Sequence, residues 1–168
     1  TAHITGATLI AVLLGPWTAV IAVSTALIIQ ALLFGDGGVT AIAANSFNIA
    51  FASSFAGYGV YRMIVFFGRR FTSVADDSAG VNAQPGLFMS AAGAAIASYA
   101  GINAAALLTA LELGSQPLIY GTGQTGYFPY GFSVTVPAIV IPHMTFAGGL
   151  EAAVTAMVIG FVRKGRVN

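Results

Sequence analysis

Cysteine is absent from the 168 residues. That removes disulfides, thiolate metal ligands and cysteine nucleophiles together. Charge is scarce: 7% of the residues are Asp, Glu, Lys or Arg, against about 25% in an average soluble domain. So few charges cannot cover a surface facing water, and with 57% hydrophobic residues the composition belongs in a membrane. A net charge of +1 gives no support to nucleic-acid binding, which needs many phosphate-neutralising cations. No basic stretch precedes the first apolar run, so no cleavable signal peptide is expected. No G-x-x-x-x-G-K-[ST] phosphate loop occurs, so any ATP use must come from a partner. No serine sits in a recognisable nucleophile turn, and the two glutamates fall at different depths. Nucleophilic or paired-carboxylate catalysis is therefore disfavoured, and the chain is not expected to be an enzyme.

What remains is apolar and segmented. A transmembrane helix needs about 20 mostly apolar residues. Four stretches qualify: Trp17–Phe34, Val39–Tyr61, Leu87–Leu111 and Met144–Val162, the last with one internal acid, Glu151. Two shorter apolar pieces, Ile4–Leu14 and Phe132–Ile141, each run into a proline, Pro16 or Pro142. Proline disfavours continuing a helix, so each reads as a half-helix. The expected fold is an all-α polytopic bundle with four full spans and two half-helical segments, in a single membrane-embedded domain covering residues 1–168.

All six basic residues follow the second and fourth spans: Arg62, Arg69, Arg70, then Arg163, Lys164, Arg166. Basic residues mark the cytoplasmic side. The C-terminus is then cytoplasmic, and the turn "GDGG" and the aromatic loop with Tyr120, Tyr127, Phe128 and Tyr130 face outside. Such aromatics anchor at the bilayer interface. The segment 62–85, with Asp76 and Asp77, faces the cytoplasm as a solvated linker or a partner-docking site.

This topology gives the first histidine a depth. Gly15-Pro16 lies near the cytoplasmic face, and going back to His3 climbs about 20 Å at helical rise through a core about 30 Å thick. His3 then sits beneath the outer surface on a discontinuous element, tolerated only where protein buries it or a cavity wets it. Asn45 and Asn48 fall about 9 and 14 Å below the start of their helix and, three apart, should share a face. Thr5, Thr8 and Gln30 lie nearby. Uncharged polar residues in spans often only join helices. An intramembrane imidazole is a functional candidate by default and a common metal ligand, but one histidine is not a metal site. His143 reads as a satisfied interfacial histidine. Glu151, which must be paired or protonated at that depth, reads first as a structural hydrogen bond to a neighbouring helix and second as a transport residue, and Glu112 reads as the outer end of its span. Asp36 is placed to cap the helix after it or to position His3. The small residues of "AAGAAIASYAGINAAA" suit close packing inside a bundle, or docking on another membrane subunit.

The stretches "HITGATLIAVLLGPW", "QALLFGDGGVTAIAANSFN" and "PHMTFAGGLEAAVTA" together resemble the substrate-binding S component of energy-coupling-factor transporters for cobalt and nickel, the CbiM/NikM type. The similarity runs along essentially the whole chain. It implies capture of Ni2+ or Co2+ as transported substrate, with no organic cofactor, in a prokaryotic cytoplasmic membrane. The implied partners are a transmembrane coupling subunit, a pair of ATP-binding subunits and often a small accessory membrane subunit. The family's metal is held by nitrogen donors from a Met-His start and one further histidine, which matches His3. Asn45 and Asn48 match cavity-shaping residues, with Thr5 and Asp36 beside them. The Met-His start and the first helices of the family are missing, so the chain reads as a fragment of a longer one. A planar four-nitrogen environment suits Ni2+ or Cu2+ better than Zn2+, and the "GPW" and "FGDGG" variants look closer to the nickel branch than the cobalt branch. The alternative reading is a membrane scaffold or assembly subunit without its own metal site.

Overall fold

In the computed structural model, residues 3–75, 86–120 and 128–165 are described. Asp76, Asp77, Tyr127 and Arg166, to which roles were given above, lie outside them. Among the described residues every regular element is helical. The order is α1 (Ala7–Leu14), α2 (Pro16–Ile29), α3 (Ile42–Asn45), α4 (Ser53–Ala75), α5 (Leu87–Tyr120), α6 (Phe132–Pro142) and α7 (Gly148–Lys164). Three π-helical turns, Gln30–Phe34, Ser46–Ala52 and His143–Ala147, continue or join these helices. Four helical stretches are long and apolar enough to cross a bilayer: Pro16–Phe34, Val39–Arg70, Leu87–Tyr120 and Phe132–Lys164. Leu33, Phe34, Phe88 and Phe161 point outward, at least 74% exposed. A rim of this kind is unfavourable in water and ordinary in lipid. The chain is an integral membrane protein of the helical polytopic class.

Two expected boundaries move. The helix from Leu87 does not end at Leu111 but runs on to Tyr120. Glu112 ends the apolar run without ending the helix, because Glu is itself a good helix former. Phe132–Ile141 is not a separate half-helix either: Pro142 lies inside a stretch that continues to Lys164. The π turn that starts at His143 absorbs the proline. Such wide turns accommodate a residue whose ring and missing N–H spoil the regular ladder. At Pro16 the expectation holds. That proline stands at the first position of α2, where no donor is needed, and α1 remains a true half-helix of eight residues.

The half-helix is seated by the small residues around it. Thr8 is fully buried, and its hydroxyl donates to the Ser53 carbonyl at 3.4 Å. A Cβ on Gly57 or Gly101 would collide with the Thr8 side chain, and one on Gly101 would also meet the Ser53 carbonyl at 2.7 Å. Glycine at these positions lets α1 enter between α4 and α5. Helix α5 is the centre of the molecule, packed on α4, α6, α7 and α1, with Ala94, Ala97, Ala105, Ala106 and Ala110 buried. Its small-residue surface is therefore largely consumed inside the bundle, as close helix approach requires. On the lipid side of α2, Trp17 packs edge-on against Phe55 at 5.0 Å, tying α2 to α4.

Candidate functional site

Between α1, α2, α4, α5 and α6 lies a cavity of about 520 Å³. Its polar lining comes from His3, Thr5, Gln30, Asp36, Asn45, Ser53, Thr109 and His143, and most of the rest is aliphatic. His3 belongs to the non-helical residues that precede α1. Its Nε2 lies 3.2 Å from Asp36 Oδ2, with both side chains nearly half exposed. Asp36 reaches there from the turn joining α2 to the next span. Gly35, Gly37 and Gly38 all have positive φ in that turn, and a Cβ on Gly37 would stand 2.7 Å from Asn45 Nδ2. Only glycine allows this tight reversal over Asn45. Asp36 does not cap the following helix. Gly38 holds that position, and no side chain bonds to the first turn, because Asp36 is turned toward His3.

The loop carrying His3 is held from α7. Glu151, buried to 1% exposure, accepts the backbone N–H groups of Thr5 and Gly6, each at 2.9 Å. The Thr5 hydroxyl adds a longer contact at 3.5 Å. The N-cap position of α1 is Gly6, which has no side chain to satisfy the first turn. A carboxylate from another helix supplies the acceptor and meets the positive end of the half-helix. The expected hydrogen-bond role of Glu151 is thus present, and its partner is the backbone of the His3 segment.

The two asparagines part company. Asn45 lines the cavity. Asn48 is 1% exposed and turns to α5, where its Nδ2 donates to Glu112 Oε2 at 2.7 Å and Thr109 Oγ1 at 3.2 Å. The π turn Ser46–Ala52 starts directly after Asn45 and contains Asn48, and its i→i+5 geometry separates residues that an α-helix would stack. Glu112, expected to be unremarkable at the helix end, is this buried amide's partner. His143 is satisfied as expected, with Nδ1 2.7 Å from the Ile139 carbonyl, and it also lines the same cavity as His3. Its only signal in the sequence is the neighbouring proline.

Among the described residues no three His, Asp or Glu side chains come close enough together to enclose a metal ion. The cavity offers two imidazoles, one carboxylate and several neutral oxygens, spread over its wall.

The profile of the cobalt uptake substrate-specific transmembrane region, CbiM, matches residues 1–168. The chain is 43% identical over 166 residues to the fused nickel transport protein NikMN of Rhodobacter capsulatus, covering 98% of this chain and 44% of that protein. It is 40% identical over 166 residues to the probable fused nickel transport protein LarMN of Lactiplantibacillus plantarum, again 98% of this chain and 44% of the other. The crystal structure of a truncated transition metal transporter is similar at TM-score 0.79 and 45% identity, over 98% of this chain and 69% of that one. The chain therefore spans less than half the length of the fused nickel transport proteins it matches. The match along the whole sequence and the shared fold lead to one assignment: the chain belongs to the CbiM family of cobalt uptake substrate-specific transmembrane regions.

Proposed function

We propose that this chain forms the substrate-capture part of an importer for a divalent transition metal, Ni2+ ahead of Co2+, with His3 as a metal donor. The observation that carries this reading is the His3–Asp36 pair at 3.2 Å on the wall of the cavity. A metal-ligating histidine typically gives its other ring N–H to a carboxylate, which fixes the tautomer and raises the basicity of the ligating nitrogen. With Nε2 turned to Asp36, Nδ1 is the donor. Glu151 holds the adjacent backbone, so His3 is presented on an anchored segment rather than a free one. Asn45, Thr5 and Asp36 shape the cavity around it, and Asn48 braces α5 from behind. One imidazole binds such ions weakly. Further nitrogen donors beyond the described residues complete the site in this reading, as the family resemblance implies.

The assembly consistent with this role is of the energy-coupling-factor type: a transmembrane coupling subunit, ATP-binding subunits and a small accessory membrane protein. The positions of the arginines support a cytoplasmic C-terminus in a prokaryotic cell, with the His3–Asp36 turn on the outer side. A scaffold role without metal is less favoured, because the small-residue surface of α5 is already occupied by α4 and α7.

The test is Ni2+ binding to the full-length protein in detergent, native against His3→Ala. The expected result is at least a hundredfold loss of affinity. Equal affinity of the two would sink the proposal.

A further inference from the structure

The cavity contains a second imidazole that the capture site described above does not use. His143 follows Pro142 at the start of the π turn His143–Ala147. Its own backbone N–H bonds to the Val140 carbonyl, three residues back. The Ile139 carbonyl, four residues back, is the acceptor a regular α-helix would have used. The ring takes that place, with Nδ1 2.7 Å from Ile139 O. A carbonyl oxygen only accepts, so Nδ1 carries the proton and the neutral ring keeps its lone pair on Nε2. The Nδ1 edge is turned back onto its own helix, so the opposite edge serves the cavity that His143 lines.

This is the arrangement of an imidazole set up to ligate: one nitrogen committed to a backbone carbonyl, the other without a hydrogen-bond partner among the described residues. His3 has the same logic with a carboxylate in place of the carbonyl. The two are not one site. Glu151, which holds Thr5 two residues from His3, lies eight residues beyond His143, about 12 Å further along the helix axis. Among the described residues no third His, Asp or Glu completes a cluster at either imidazole.

We propose that His143 Nε2 is a second, weaker binding station for the divalent transition ion in the same cavity. There the ion is held by a single imidazole and otherwise by its own water. The proposal rests on the reading that the cavity takes such an ion. Passage through a site requires binding strong enough to enter and weak enough to leave, and one imidazole on a partly hydrated ion meets that requirement. Its place on the wall, apart from the anchored His3 segment, suits an ion moving to or from His3.

The experiment is a calorimetric titration of the intact protein with nickel chloride, for the native chain, His143→Asn, His143→Ala and His3→Ala. Asparagine places an amide N–H where Nδ1 stands. It keeps the bond to Ile139 and removes Nε2, which separates ligation from repair of the helix. The native chain is expected to show a tight event and a weaker one. His143→Asn should weaken the second event at least tenfold, with the tight event and the melting temperature unchanged. His3→Ala should lose the tight event and keep the weak one. A weak event at native affinity in His143→Asn overturns the inference, and so does a native chain with no second event. Loss of the tight event alone, in the native chain, would fail the capture-site reading and leave this one standing.

Discussion

Two interruptions of regular helix bring an imidazole to the same cavity, and they are built in different ways. The first lies before α1, where residues 3–6 are not helical and His3 is carried on open backbone. The second is the π turn His143–Ala147, inside a helix that never stops. The open segment cannot satisfy its own donors. Two of its N–H groups go to Glu151, more than 140 residues away. The π turn is served locally: the ring of His143 bonds to the Ile139 carbonyl, four residues back on its own helix. Open backbone in a membrane needs a partner from elsewhere in the fold, because no water replaces a missing hydrogen bond. The first interruption is therefore a tertiary construction, and the second is a local one.

The sharpest way to break this contrast is at the remote anchor. Glu151→Ala leaves the Thr5 and Gly6 N–H groups unpaired, at about 1–3 kcal/mol each, and should also abolish tight Ni2+ binding by releasing the His3 segment. Thermal unfolding in detergent and a metal titration check both parts. A variant that melts and binds like the native chain would show that the anchor does not matter.

Next comes the seat of the half-helix. Gly101→Ala places a methyl group against Thr8 and the Ser53 carbonyl. Overpacking of this kind costs about 1–3 kcal/mol, and α1 should shift, with lower stability and weaker metal binding together. Native behaviour would mean that α1 has more room than the packing implies.

Asp36→Asn separates stability from binding at the first interruption. The His3–Asp36 pair is half exposed, so its loss should change stability by less than about 1 kcal/mol. Ni2+ affinity should fall about 10- to 100-fold, as when a ligating histidine loses its carboxylate. Unchanged affinity would remove Asp36 from the site.

The smallest effect is expected at the locally served turn. Pro142→Ala restores an N–H inside the helix, so stability should rise by about 1 kcal/mol, part of the roughly 3 kcal/mol that proline costs in a helix interior. A fall in melting temperature would show that the π turn is set by packing and not by the proline.

Most of the bundle was legible because apolar run length and the scarcity of charge are one-dimensional quantities. The spans starting at Trp17, Val39 and Leu87 needed nothing else, and the break at Gly15-Pro16 was marked by the proline itself. Pro142 looked the same in sequence and behaved differently, since a π turn is chosen by the surrounding contacts rather than by the residue alone. His3 stood out as a candidate from its depth and its family resemblance. Asp36 was noticed but assigned first to a cap, because a local partner is the default when remote ones are unknown. His143 and Glu112 read only as an interfacial group and a helix end: both stand at the ends of apolar runs, and run length is silent about which side of a helix faces the cavity.

The sequence by itself determined that this protein lives in a membrane, how many times its chain is able to cross and that His3 lies on a broken element. These follow from hydropathy, helix rise and the chemistry of proline, which act over neighbouring residues. Only the tertiary structure decided that Glu151 holds the His3 segment, that Asn48 turns from Asn45 to meet Glu112, and that both histidines line one cavity. Those are pairings between residues far apart in the chain. In a bilayer core each buried polar group must find its partner within the protein, and only the packed bundle determines which partner is in reach.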